Sequence, residues 1–253
     1  MLDTLSPLRP NAIAPSQEHD ELAPPRRWSL RSLALITFAW FTLQIGGLFS
    51  PGLLDDVDSI YIEIAREMLH RHDFVTPYIN GMRFFDKPPL MYWMAAGSMR
   101  LFGETDWGAR LPLALAALAL FLSVYALGTR LFGERGGLYA ALATATSIGP
   151  YLYTRFFIPD ILICLWMTLG VHLFLIALNR LQYQHPGAPS FMPYAKGGNL
   201  LPSLAFAAVL ALNLLTKGLI GIVFPVAIVA VYLLLTRGWR GTLRRLLQCH
   251  PLS

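Results

Sequence analysis

The sequence predicts an all-α polytopic membrane protein, with about six transmembrane helices and two juxtamembrane amphipathic helices on the non-cytoplasmic face. Three observations lead there. Of the 253 residues, 55% are hydrophobic and only 14% charged, with a mean hydropathy of +0.50; an ordinary soluble domain is about 25% charged. The apolar residues come in blocks long enough to cross a bilayer, which takes roughly 20 helical residues. The charges between the blocks fall unevenly on the two sides.

Residues 1–28 are polar and proline-rich without helical periodicity, which predicts a disordered cytoplasmic tail. The first span follows over about 32–54. It is too long for the core of a cleaved signal peptide and has no clear small-residue cleavage site, so it reads as retained. Further spans are predicted over about 108–128, 137–154, 161–179, 200–216 and 218–236. The last two are separated because a single helix over 201–235 would be about 52 Å long, against a hydrocarbon core of about 30 Å. Thr216-Lys217-Gly218 is the place to turn. Residues 29–237 then form one transmembrane domain that includes an outer loop at 55–107, and 238–253 is a basic cytoplasmic tail or a truncated continuation.

With the N-terminus in the cytoplasm, the cytoplasmic segments hold 12 basic and 5 acidic residues, and the opposite face holds 8 basic and 10 acidic. This satisfies the positive-inside rule. The net charge of +5 is therefore a matter of topology and calls for no nucleic-acid partner. Cys164 lies in an apolar block and Cys249 in the basic tail, so neither reads as a disulfide, metal or nucleophile residue.

The outer loop carries the candidate chemistry. "DDVDSIYIEIAREMLHR" sets Ile60, Ile64 and Met68 on one stripe and Tyr61, Ala65 and Leu69 on the next, the pattern of a surface-lying amphipathic helix with Asp58 as a plausible N-cap. A second short helix is predicted from Pro88 or Pro89 through "LMYWMAAGSMRLFG". Between them stands "DKPP". Ionisable groups recur on every outward connection: Asp55, Asp56 and Asp58, then Arg83, Asp86 and Lys87, then Arg110, Arg155 and Asp160, then Lys217. Charges at membrane depth are costly and usually face a cavity or each other. Simpler roles stay open at this point: helix caps for the aspartates, a surface ion pair for Asp86 and Lys87, headgroup contact for Arg155 and Lys217.

The stretches "DDVDSIYIEIAREML", "DFVTPYINGMRFFDKPPLMYW", "FGETDWGARLP" and "LLTKGLIG", in this order, resemble the N-terminal half of the aminoarabinose-transferase-like branch of the protein O-mannosyltransferase superfamily. The resemblance spans roughly residues 30–245 and implies a GT-C-like glycosyltransferase fold in the bacterial inner membrane with its active face periplasmic. It implies transfer of a sugar from a polyprenyl-phosphate carrier to a lipid, glycan or protein acceptor. It places the catalytic acids on Asp56, Asp58 and Asp55, with Asp56 foremost. Lys87 and Lys217, with Arg83 and Arg155 as lesser members, fall on donor-phosphate positions. Tyr61 and Asp160 fall at the substrate site, and Asp86 where a divalent metal can bind. No Gly-rich nucleotide-phosphate loop is present, so no nucleotide cofactor is expected. The chain stops at "CHPLS", soon after the sixth predicted span, as expected of a fragment, a truncated reading frame or a separate module. A lipid-linked-sugar transporter and a non-catalytic module bound to a partner subunit are the alternative functions.

Overall fold

A computed structural model describes residues 28–49, 56–183 and 200–248. The tail before Trp28, the loop at 184–199 and the end beyond Gln248 lie outside the described residues, as does Asp55. The described architecture is helical, in the order α1 (Leu30–Phe49), α2 (Asp56–Arg71), β1 (Tyr78–Ile79), β2 (Met82–Arg83), α3 (Leu90–Phe102), α4 (Asp106–Phe132), α5 (Glu134–Thr146), α6 (Ile148–Arg155), α7 (Asp160–Tyr183), α8 (Leu200–Lys217) and α9 (Ile220–Gln248). Among the described residues, α1, α4 and the Asp160–Ala177 part of α7 are long and apolar enough to cross a membrane. Leu204–Lys217 and Ile220–Tyr232 are shorter apolar stretches.

Two expectations are corrected. The predicted span 137–154 is not one helix: it breaks at Ser147, whose extended backbone separates α5 from α6. Pro150 sits in the first turn of α6, where its missing N–H leaves no helical bond unmade. The second outer helix starts at Leu90, with Pro89 as its N-cap residue, instead of at a proline. The loop also holds a short antiparallel hairpin, Tyr78 opposite Arg83 and Ile79 opposite Met82. Asn80 and Gly81 both have positive φ, 49° and 79°, the backbone that an Asn-Gly hairpin turn supplies.

The amphipathic stripe of α2 is turned into the protein. Tyr61, Ile64, Ala65 and Met68 are buried in one cluster with Met91, Tyr92, Ala95 and Met99 of α3 and with residues of α1, α4 and α7. So α2 packs on α3 with its apolar face, and its charged face is left outward.

Prolines inside two helices explain two polar side chains. A proline in a helix frees the carbonyl four residues earlier, and in an apolar setting that carbonyl needs another donor. Pro112 in α4 frees Gly108, and Ser98 of α3 donates its hydroxyl to the Gly108 carbonyl at 2.5 Å. Pro225 in α9 frees Gly221, and Asn213 of α8 donates its Nδ2 to the Gly221 carbonyl at 2.8 Å. At the α6 break, Gln44 of α1 donates to the Pro150 carbonyl (3.3 Å) and accepts from Thr154 (2.5 Å). Gly137 of α5 is pressed against α4, where a Cβ would lie 2.3 Å from the Thr129 hydroxyl and 2.6 Å from the Tyr125 carbonyl oxygen. That contact explains a glycine in the first turn of α5 at this crossing.

Candidate functional site

The site forms where the turn before α3 meets the elbow between α8 and α9. The elbow turns at Gly218, with φ +73°, a conformation glycine adopts without a Cβ penalty. A Cβ there would be 3.9 Å from Pro88. The Asp86-Lys87-Pro88-Pro89 turn and the Thr216-Lys217-Gly218 turn are therefore neighbours, although about 130 residues separate them.

Each turn brings a lysine that is paired with a carboxylate. Lys217 donates to Asp160 Oδ1 at 2.6 Å, joining the end of α8 to the start of α7. Lys87 lies 3.1 Å from Asp86 Oδ2 and 3.2 Å from Oδ1. Tyr61 of α2 donates its hydroxyl to Asp86 Oδ2 at 2.7 Å. The Tyr61 hydroxyl, then Lys87, hold the Asp86 carboxyl below its ordinary range. Burial first, then Asp86 and Asp160, push the Tyr61 phenol well above its own. It therefore stays a hydrogen-bond donor at any physiological pH.

Beneath this pair lies Tyr92, fully buried, its ring centroid 6.0 Å from that of Tyr61. Burial, then Tyr61 and Asp86, raise its phenol as well. Its hydroxyl faces the Lys87 backbone amide and has no well-formed hydrogen bond among the described residues. Sequence reasoning missed Tyr92 because an aromatic in "LMYWM" reads as an interface anchor. Its place three residues after Pro89 was the only available signal.

Asp58 is not the expected N-cap: it lies inside α2, which begins at Asp56. It is 2% exposed and accepts from Arg110 Nη2 of α4 at 2.5 Å, while its other oxygen accepts from the Phe157 amide at 3.1 Å. Burial pushes its carboxyl up against the opposing pull of Arg110 and the Phe157 amide. Asp58 thus ties α2, the start of α4 and the connection before α7 together. Arg110, also 2% exposed, was read only as a charge at the start of a span; its partner 52 residues earlier is invisible to local pattern.

Arg155 and Arg83 do not join the cluster. Arg155 lies 3.5 Å over the Tyr151 ring and against Gly47 of α1, where a Cβ would be 2.8 Å from its guanidinium carbon. Arg83 stands exposed on β2. Asp56 opens α2, but its side chain, like all of Asp55, lies outside what is described. For a divalent metal on Asp86, the donors present do not fit. Both Asp86 oxygens are engaged by Tyr61 or Lys87, and no group of three His, Cys, Asp or Glu side chains gathers among the described residues.

The depressed Asp86 has a pH consequence. A carboxylate with a lowered folded pKa adds stability above its unfolded value, near 3.8, and loses it as pH falls through the folded value. Wild type is therefore expected to melt slightly above Asp86→Asn at neutral pH, with the two converging in acid below pH 3.8. The gap is small because the side chain is more than a third exposed. Thermal unfolding in detergent across pH checks it, and a gap that widens in acid would contradict the assignment.

Residues 86–187 match the family described as dolichyl-phosphate-mannose-protein mannosyltransferase. Over 212 residues the chain is 30% identical to the undecaprenyl phosphate-alpha-4-amino-4-deoxy-L-arabinose arabinosyl transferase of Edwardsiella ictaluri, covering 80% of this chain and 36% of that one. The crystal structure of ArnT from Cupriavidus metallidurans in the apo state superposes with a TM-score of 0.69 at 29% identity, over 86% of this chain and 37% of ArnT. The same protein bound to undecaprenyl phosphate gives 0.68, over 85% and 37%. The chain thus spans well under half the length of the relatives it matches. It is a partial-length homologue of these lipid-linked-sugar glycosyltransferases, and its residues 86–187 carry the match to the dolichyl-phosphate-mannose-protein mannosyltransferase family.

Proposed function

We propose that this chain provides the donor side of a membrane glycosyltransferase that takes a sugar from a polyprenyl-phosphate carrier and passes it to a lipid, glycan or protein acceptor. The observation that carries this reading is the meeting of the Lys87 and Lys217 turns at the α8–α9 elbow. Two ammonium groups held beside carboxylates form a site for the donor phosphate, which is a monoanionic diester while it carries the sugar and gains a second negative charge when the sugar leaves. It lies at the ends of apolar helices, where a prenyl chain has its solvent. The relatives named for undecaprenyl phosphate, and the one crystallised with it, support the same donor class.

In the reaction the bond between the anomeric carbon and the phosphate oxygen breaks, and a bond from that carbon to an acceptor oxygen forms. Negative charge collects on the leaving phosphate, where Lys87 and Lys217 stabilise it. Preorganised charges of this kind act most strongly where water is scarce. Positive charge on the sugar ring calls for a carboxylate, and Asp56 takes that role or accepts the proton of an attacking hydroxyl. Asp58 positions this end of α2 and does not touch the reacting atoms. Asp160 holds Lys217, and the Tyr61–Asp86 bond holds Lys87.

The charge asymmetry supports six membrane crossings with a cytoplasmic N-terminus and a periplasmic site in a bacterial inner membrane. The α5–α6 pair makes one of the crossings as a broken helix. The test is transfer of label from a radiolabelled polyprenyl-phosphate sugar in membranes carrying the chain, with Asp56→Asn beside it. Transfer lost in the variant supports the reading; transfer at equal rate in both removes Asp56 from the chemistry. Stable insertion with no transfer by wild type favours a module that acts with a partner.

A further inference from the structure

The segment between α2 and α3 exposes apolar side chains where a water-facing loop would not. Val75 is 82% exposed, Met82 67% and Phe85 74%. They crowd into eleven residues around a hairpin whose own core contacts are made by Ile79 and Phe84. Single exposed apolar residues are ordinary, but a cluster marks a contact surface.

The occupant follows from level and charge. Pro88, three residues after Phe85, lies against Gly218, and the next residue, Leu219, begins an apolar run and is itself 71% exposed. The hairpin base therefore stands at the depth where the membrane helices end. Beside the cluster, Arg71 is ion-paired with Glu67 and Lys87 with Asp86, which leaves Arg83 as the base turned to the surface. Arg83 follows Met82 and has no carboxylate within ion-pair distance among the described residues. Arg71 lies 4.5 Å from the centre of the Tyr78 ring, the residue paired across the hairpin with Arg83. Of the two acids inside the segment, Asp73 is turned inward onto its own loop, accepting from the Val75 and Thr76 amides at 3.0 Å, and Asp86 is held by Tyr61 and Lys87. Apolar tips beside Arg83 match the acyl and phosphate layers of an anionic leaflet.

We propose that this hairpin is a membrane-contacting foot: Val75, Met82 and Phe85 enter the outer acyl boundary, and Arg83 binds the phosphate of an anionic phospholipid. The foot fixes the height of the adjoining Asp86-Lys87 turn above the bilayer. It stands whether or not the chain transfers sugar, since its readout is lipid contact.

The experiment uses the full chain with Cys164→Ala and Cys249→Ser, carrying a single Met82→Cys or Phe85→Cys labelled with an environment-sensitive fluorophore. The protein is reconstituted in phosphatidylcholine vesicles with and without phosphatidylglycerol. The expected result is blue-shifted emission that nitroxides near the acyl-chain head extinguish and aqueous iodide does not. Adding phosphatidylglycerol should strengthen the quenching, and Arg83→Ala should abolish that gain. Emission quenched by iodide would place the hairpin in water and overturn the proposal. Protection from both quenchers would mean that protein covers the patch, which overturns it equally. An Arg83→Ala variant with the gain intact would remove the arginine from headgroup binding.

Discussion

Arg110→Met is expected to be the most damaging single substitution in the outer half of the protein. Asp58 and Arg110 are each 2% exposed and 2.5 Å apart, so removing the guanidinium leaves a buried carboxylate with the Phe157 amide as its one remaining donor among the described residues. Breaking a buried pair from one side costs about 3–5 kcal/mol, because the surviving charge has nowhere to go. The double variant Asp58→Asn, Arg110→Met should recover much of that loss, since a neutral amide oxygen still accepts from Phe157. Thermal unfolding of the three proteins in detergent gives the order: wild type, then the double variant, then the single. A single variant as stable as wild type would show that the pair does not lock α2 to α4.

Lys217→Ala is expected to lower sugar transfer by about 10²–10³-fold, the usual effect of removing one donor from a site where charge develops. Folding should be little affected, because Lys217 and Asp160 are each about a third exposed and their pairing contributes little to stability. Lys87→Ala should act in the same direction. The double replacement should fall short of the product of the two, since both ammonium groups serve one phosphate. The informative control is Asp160→Asn. If Asp160 only positions Lys217, the loss is partial and Lys217 still binds the donor. Rates from the radiolabelled donor at saturating and limiting concentration separate the cases, and unchanged transfer by Lys217→Ala would remove it from the phosphate site.

Helix positions were legible because each apolar block obeys one local rule, length against bilayer thickness. The turn at Gly218 followed from that same arithmetic. The clustering of Asp86, Lys87, Asp160 and Lys217 was approached through sidedness, which says that these groups share a face but not that Pro88 rests on Gly218. Some misses were readable. Asn80-Gly81 between β-prone residues signals a hairpin, and Pro150 after Ser147 signals a helix start. Pro112 and Pro225 announce free carbonyls that Ser98 and Asn213 were there to fill. The role of Asp58 was not readable. An acid at the start of an amphipathic helix has the same local pattern whether it caps the helix or pairs with a guanidinium in another helix; only burial distinguishes the two.

The wide spacing of the Asp58 contacts also bears on biogenesis. Its two donors come 52 and 99 residues later in the chain. During synthesis α2 precedes both donors, so the Asp58 carboxylate is left without them until α4 and then the connection before α7 have followed. The outer layer is therefore a late-closing part of the molecule. Chains arrested after Phe132 should hold α2 with Arg110 alone, open to protease from the outer side, and become resistant only once Phe157 has emerged.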